Sequence, residues 1–371
     1  MTPTRTTTHT IHRPDATPVH LVVDETGTGR PVLLLHGGAG PMSVQPFATL
    51  LADHHDARVL VPTHPGFNTT PRPDDVTGVR DLAALYVALL EQLDLHDVTV
   101  IGNSIGGWIT AEIAALHHPR VTKAIIINGV GIDVPDHPVA DFFALSFDEL
   151  TDRSYYDPDR FRLDPATLTD RQKALMGGNR QAIAVYGGQS MTDPTLTDRL
   201  GRITIPTLVL WGQADRIATP DYGRAYAAAI PTARYQPLTD TGHLPQIETP
   251  GRTLEAVWNF IDHGTQRPSD SDSPTESAQT PSPTATASTP ASQPAPRVAP
   301  ASKSQMSLMI WAAVFPTLIA LQLLLRNPLA DAPMALRTLI LVTLAVPITV
   351  FGLMPPLQRL RALLITHTHR A

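Results

Sequence analysis

Residues 98–118 read VTVIGNSIGGWITAEIAALHH. The first five, VTVIG, are β-branched or small and apolar on both faces, the pattern of a strand buried inside a sheet. From Ile105 the period changes, and WITAEIAALHH is apolar at helical spacing. Between them stands Gly102-Asn103-Ser104-Ile105-Gly106-Gly107. A sharp strand-to-helix turn holds its central serine in a strained conformation, and Gly102 and Gly106 leave room for neighbouring elements to approach closely. The helix that starts at Ile105 aims its first amides at any negative charge forming nearby. Ser104 is therefore a candidate nucleophile; an N-cap serine in a glycine-rich turn is the plainer reading of the same residues.

The same alternation runs outward in both directions. Strand-like apolar runs occur at 19–23 (VHLVV), 31–35 (PVLLL), 58–62 (RVLVP), 124–128 (AIIIN) and 206–211 (PTLVLW), and all six runs suit buried parallel strands. Helical patterns separate them, as in VRDLAALYVALLEQL at 79–93. Strand–helix alternation over residues 1–263 predicts a doubly wound α/β sheet. Residues 132–202 break the rhythm. They are rich in Asp, Arg, Tyr and Phe, include a helical stretch at 168–176, and read as an inserted helical cap.

Composition then divides the chain. It has 371 residues, 36 prolines, no cysteine and a formal net charge of −6. Residues 1–263 hold 20 basic and 30 acidic side chains. Phosphates would be repelled by that body, so nucleic acid is excluded as a partner. The absence of cysteine excludes disulfides, thiolate catalysis and Cys-ligated metal. The first twenty residues carry no apolar run of signal-peptide length. Residues 264–305 contain 8 Pro, 15 Ser or Thr and 7 Ala, a composition that predicts a disordered linker. Beyond it, 306–325 and 338–354 are uncharged. Twenty residues of helix span about 30 Å, the thickness of a bilayer's hydrocarbon layer. The two runs read as a transmembrane hairpin, with a lipid bilayer as partner of 306–354. Arg297, Lys303, Arg359, Arg361 and Arg370 flank it outside, against Arg326 and Arg337 in the loop, which puts the body on the cytoplasmic side.

Three further motifs accompany the serine. HGGAG, residues 36–40, follows the strand-like PVLLL. Backbone amides at Gly38 and Ala39 can face the same pocket as that of Ile105, and two such amides make an oxyanion hole. His36 in that loop reads as a residue that orients it. Asp215, in LWGQADRIATP, follows the last strand-like run and is the candidate acid, with Asp133 as the alternative. His243, in LTDTGHLPQIE, precedes a helical pattern at 253–261 and is the candidate base; Asp240 shares its loop. The 111 residues between Ser104 and Asp215 require the sheet to bring strand ends together.

Five segments in this order, LLLHGGAG, VPTHPGFNTTPRP, VIGNSIGG, LVLWGQADRIATP and TGHLPQIE, resemble the α/β-hydrolase family over residues 10–263. The resemblance implies Ser104 as nucleophile, Asp215 as acid and His243 as base of a serine hydrolase that needs no cofactor or metal. The elbow GNSIGG is similar to those of meta-cleavage-product C–C hydrolases and esterases. The C–C enzymes usually carry Trp after the Gly-His, where this chain has Leu244. The HGGAG loop is similar to that of proline iminopeptidases, whose elbow has Trp where this chain has Ile105. The stretch LRTLILVTLAVPITVFGLMPPLQRL resembles paired C-terminal helices of bacterial membrane proteins with antibiotic-biosynthesis-monooxygenase-type domains.

The expected activity is cleavage of a small acyl substrate by a membrane-anchored serine hydrolase. C–C hydrolysis, a cofactor-free peroxidase-type reaction and a non-catalytic binding module are the alternatives. In the cap, Phe142, Phe143, Phe147, Tyr155, Tyr156 and Tyr186 are candidates for an apolar pocket, and Arg171 and Arg180 for binding a carboxylate; Trp108 reads as packing.

Overall fold

A computed structural model describes residues 2–13, 16–164 and 167–263. The sheet has eight strands: β1 (Thr4–Ile11), β2 (Val19–Gly27), β3 (Arg30–Leu35), β4 (Ala57–Pro62), β5 (Val98–Asn103), β6 (Val121–Ile127), β7 (Thr207–Gly212) and β8 (Ala233–Leu238). Their spatial order is β1-β2-β4-β3-β5-β6-β7-β8. β1 pairs antiparallel with β2, and β2 antiparallel with β4; the remaining pairs are parallel.

Successive side chains of a strand point to opposite faces, and here both faces are dry. Leu33 and Leu35 join one apolar cluster while Val32 and Leu34 join the other. Ile126 and Val209 fall on the first side, Ile125, Ile127, Leu208 and Leu210 on the second. The first face is covered by α2 (Val79–Gln92), α3 (Ile105–Ala115) and, later in the chain, α8 (Pro220–Ala228). The second is covered by α1 (Gln45–His54) and α10 (Pro250–His263). Helix α3 is mostly apolar, with Thr110 and Glu112 its polar residues, and all its residues up to Ala114 are buried. That suits the central position behind β5 and β6.

Two strands carry no apolar signal in the sequence. β1 (TRTTTHTI) is largely exposed, and β8 (ARYQPL) is only partly buried. Both lie at sheet edges, where one side is free and polar residues are tolerated. The run VHLVV was expected in a parallel strand; it lies in β2, which is antiparallel, because β1 precedes it in a hairpin with Ile11 opposite Val19.

Between β6 and β7 the chain leaves the sheet and forms α4 (Phe147–Ser154), α5 (Pro158–Phe161), α6 (Asp170–Gly187) and α7 (Leu196–Leu200). Ser146 and Thr169 cap α4 and α6 through reciprocal bonds with Glu149 and Gln172, which satisfies otherwise orphaned amides. Remaining elements are α9 (Pro245–Glu248) and the 3-10 turns 41–43 and 67–69. The linker at 264–305 and the apolar runs at 306–325 and 338–354 lie outside the described residues. Among the described residues no helix is long and apolar enough to cross a membrane.

Candidate active site

HGGAG follows β3, Ser104 follows β5, Asp215 follows β7 and His243 follows β8. These strands are parallel, so all four loops emerge at the carboxyl edge of the sheet, where α/β folds bind ligands.

Ser104 sits between β5 and α3 with φ 57° and ψ −120°. A non-glycine residue there costs roughly 1–3 kcal/mol, and its surroundings hold it in place. Its N–H donates to Ile127 O at 3.0 Å, and its carbonyl accepts from Gly107, Trp108 and Val130 at 2.9, 3.2 and 3.3 Å. A Cβ on Gly102 would lie 2.0 Å from Gly106 O, and one on Gly106 would lie 2.4 Å from Leu35 O. Neither position admits a side chain.

His243 and Asp215 are buried and joined by a hydrogen bond of 2.8 Å from imidazole Nδ1 to carboxylate Oδ2. The carboxylate is fully engaged. Oδ1 accepts from the amides of Ile217 and Ala218 at 2.8 and 3.0 Å, and Oδ2 accepts also from Asn128 Nδ2 at 2.7 Å. The acceptor on Nδ1 fixes the tautomer, leaving Nε2 with its lone pair. The alternative acids Asp133 and Asp240 are both exposed.

A cavity of about 470 Å³ is bordered by Ser104, His243, Gly38, Ala39 and Ile105. Among the described residues, the backbone N–H groups of Gly38, Ala39 and Ile105 have no hydrogen-bond acceptor. Ser104 Oγ and His243 Nε2 are likewise not engaged by any described residue. Ungripped donors in an apolar cavity suit an incoming oxygen. A larger depression of about 980 Å³, bordered by residues 16–18, 20 and 71–75, contains none of these groups.

The cap supplies most of the cavity wall. Phe142, Phe147 and Tyr155 line it, with Leu150, Phe161 and Met176. Phe143 does not; it packs edge-on against Phe142 at 5.3 Å. Tyr156 is exposed, and Tyr186 is buried with its hydroxyl donating to Pro65 O at 2.7 Å. Trp108 is buried and donates to Glu112 at 3.3 Å. Arg171 is exposed and does not border the cavity. Arg180 borders it, with its guanidinium 4.9 Å from the Phe142 ring and donating to Phe142 O at 2.9 Å. Burial pushes the Tyr155 hydroxyl up to about 12, with Glu248 adding to the shift.

Under the HGGAG loop lies a sealed chain of polar groups. His36 donates through Nδ1 to Gly37 O at 2.8 Å and accepts through Nε2 from the His64 amide at 3.1 Å. His64 Nε2 donates to His36 O at 2.9 Å, and Tyr86 hydroxyl bonds to His64 Nδ1. Burial holds His36 well below the usual histidine range, with His64 adding to the effect, and lowers His64 to about 4. Both imidazoles are thus neutral and brace the loop.

Several site residues carry little sequence signal. Asn128 holds Asp215. Asn103 donates to His243 O at 3.0 Å and accepts from Gln246 at 3.1 Å. Glu248 accepts from Gly242 at 2.6 Å. Their only local signatures are position: Asn128 directly after β6, Asn103 directly before Ser104, and Gln246 and Glu248 just after His243.

The model of the alpha/beta hydrolase family matches residues 32–256, and the chain belongs to that family. A second family model, the Y2318 C-terminal domain, matches residues 300–363. The chain is similar to 2-hydroxymuconate semialdehyde hydrolase of Pseudomonas sp. (strain CF600), 25% identical over 250 residues, covering 64% of this chain and 88% of the relative. It is similar also to putative non-heme bromoperoxidase BpoC of Mycobacterium tuberculosis, 28% identical over 267 residues, covering 66% of this chain and 98% of the relative. Among solved structures, a thermophilic esterase from Thermogutta terrifontis matches with TM-score 0.57 and 25% identity, covering 71% of this chain and 100% of that one. A meta-cleavage product hydrolase from Pseudomonas fluorescens IP01 shares the fold, with TM-score 0.56 and 20% identity, covering 66% of this chain and 94% of that one. The protein is a hydrolase enzyme of this family.

Proposed function

We propose that this hydrolase cleaves an ester or related acyl bond through an acyl-enzyme on Ser104. The observation that carries the reading is the 2.8 Å His243–Asp215 hydrogen bond at the cavity that also holds the strained Ser104. His243 Nε2 takes the Ser104 proton as Oγ attacks the substrate carbonyl. Asp215 keeps the imidazole in the right tautomer and stabilises the imidazolium. The negative oxygen of the tetrahedral intermediate is met by the Ile105 amide and those of Gly38 and Ala39, each worth about 3–4 kcal/mol in comparable sites. The imidazolium passes its proton to the leaving group, and a water deprotonated by the same imidazole then releases the acid. The hydrogen bond from Ser104 Oγ to His243 Nε2 tightens as substrate binds.

A second reading, hydrolysis of a C–C bond beside a carbonyl, is favoured by one observation. Arg180 is the only Arg or Lys among the described cavity residues, and the cavity is otherwise mostly apolar. A substrate with a carboxylate at one end and a hydrophobic body fits that arrangement. Leu244 at the cavity wall, where C–C enzymes usually carry Trp, weighs against it. Rates on a panel of esters, lactones and 2-hydroxy-6-oxo-dienoate substrates, each compared with Ser104→Ala, decide between the two. Ester turnover lost in the mutant is the expected result; turnover of dienoates alone supports the second reading. Turnover of bromide and peroxide without ester cleavage would favour a peroxidase-type enzyme instead.

We propose further that 306–325 and 338–354 anchor the enzyme in a bilayer, with the body on the cytoplasmic side. Their length and lack of charge support this. Release of the full chain from membranes by alkaline carbonate would overturn it.

A further inference from the structure

Glu248, the last residue of α9, is 8% exposed and has no part in the chemistry above. Its two carboxylate oxygens serve two different segments. Oε2 accepts from the amide of Gly242 at 2.6 Å, and Oε1 accepts from those of Tyr156 and Asp157 at 2.8 and 3.0 Å. Gly242 immediately precedes His243. Tyr156 and Asp157 join α4 to α5 in the cap.

The same two segments meet elsewhere. The His243 amide donates to Ser154 O at 2.7 Å, and a Cβ on Gly242 would lie 2.2 Å from that oxygen. The loop bearing Asp215 joins them: Ala214 donates to Thr241 O at 2.8 Å, and Arg216 to Arg153 O at 3.1 Å. Leu150, Thr151, Ser154 and Tyr155 belong to this cap segment and line the cavity. A substrate that presses on the cap wall therefore presses on the backbone that carries the base.

We propose that Glu248 is a positioning residue: by bridging cap residues 156–157 to Gly242, it sets where the His243 imidazole stands relative to Ser104. The inference rests on the roles proposed above for Ser104 and His243. A carboxylate suits the task because both oxygens accept, and one buried amide and two partly buried ones need acceptors. Glutamine keeps the size but has one oxygen. That oxygen satisfies most donors on the cap side, which turns the NH₂ group toward the Gly242 amide and frees the base loop.

The test is Glu248→Gln in the full-length protein, assayed well below its own unfolding midpoint. Ester kcat and the fluorophosphonate inactivation rate should both fall about 10- to 100-fold, while KM changes by less than about twofold. The Nδ1–H proton resonance of His243, assigned by its loss in His243→Gln, should shift or broaden. Glu112→Gln is the control. That carboxylate is also buried, but it pairs with Arg199 at 2.5 Å on the far part of α3. It should lose stability and keep both kcat and the resonance. Glu248→Gln with wild-type kcat and an unmoved resonance overturns the proposal, as does an equal kcat loss in Glu112→Gln. If Glu248→Gln does not fold, Tyr156→Pro carries the test. It deletes one donor to Oε1, and Tyr155 already has the extended backbone that precedes proline (φ −123°, ψ 151°). Its kcat should fall about threefold or more, and an unchanged kcat overturns the bridge. A wild-type enzyme that neither turns over esters nor labels removes the catalytic reading, while the resonance still reports on Glu248.

Discussion

Replacing Asp215 by asparagine separates orientation from charge at the base. The carboxylate accepts four hydrogen bonds, two on each oxygen. Asparagine has one oxygen, and the two rigid backbone amides of Ile217 and Ala218 claim it. Its NH₂ then faces His243 Nδ1, which must become an acceptor. The imidazole proton moves to Nε2, the atom that receives the Ser104 proton in the proposed mechanism. The geometry is preserved and the tautomer is wrong. An enzyme of this kind loses about 10⁴ in kcat, equivalent to roughly 5 kcal/mol of transition-state stabilisation. The assay is ester hydrolysis together with the fluorophosphonate inactivation rate, since both need Ser104 to be deprotonated. KM should stay near wild type, because Asp215 does not border the cavity. Asp133→Asn, at an exposed position, should leave both rates unchanged. A kcat within tenfold of wild type for Asp215→Asn, or a large loss for Asp133→Asn, refutes the reasoning.

Two further outcomes follow from groups outside the chemistry. Folded His64 binds its proton near pH 4, against an ordinary value of 6.5. The unfolded chain therefore takes up the proton first, so this contribution to stability is complete above about pH 6.5 and is lost as pH falls toward 4. At about 1.4 kcal/mol per pH unit, His64 alone removes about 2 kcal/mol between pH 7.5 and 5; urea unfolding at the two pH values measures it, and equal stabilities contradict it. Gly178 lies inside α6, and a Cβ on it meets nothing within 4 Å. Gly178→Ala should stabilise the protein by about 0.5–1 kcal/mol, read as a Tm higher by a few degrees, with kcat within about twofold of wild type.

What was legible in the sequence follows physical lines. Five of the six apolar runs reveal themselves because both faces of those strands are buried, as Val32, Leu33, Leu34 and Leu35 show, while in β2 Val19, Leu21 and Val23 bury one face and His20 is exposed on the other. β1 and β8 stay hidden because edge strands keep polar residues, and without β1 nothing marks β2 as antiparallel. Ser104 is legible because an elbow constrains the glycines on either side of it within six residues. Asp215 and His243 are legible by order along the chain. Asn128, Glu248 and His64 are not, since each acts through tertiary contact: Asn128 meets Asp215 across 87 residues, and Glu248 meets the cap across about ninety. Aromatic residues of the cap were separable into cavity wall and packing only by the fold, which sends Phe142 and Tyr155 to the cavity and Tyr186 into the interior.

The most direct measurement is mass spectrometry of the full-length enzyme after brief reaction with a fluorophosphonate. Modification should fall on the peptide containing Ser104, at a rate that Asp215→Asn lowers, and no adduct should appear in Ser104→Ala. An unmodified wild-type enzyme, or an adduct that persists in Ser104→Ala, would contradict a serine nucleophile at the tip of β5.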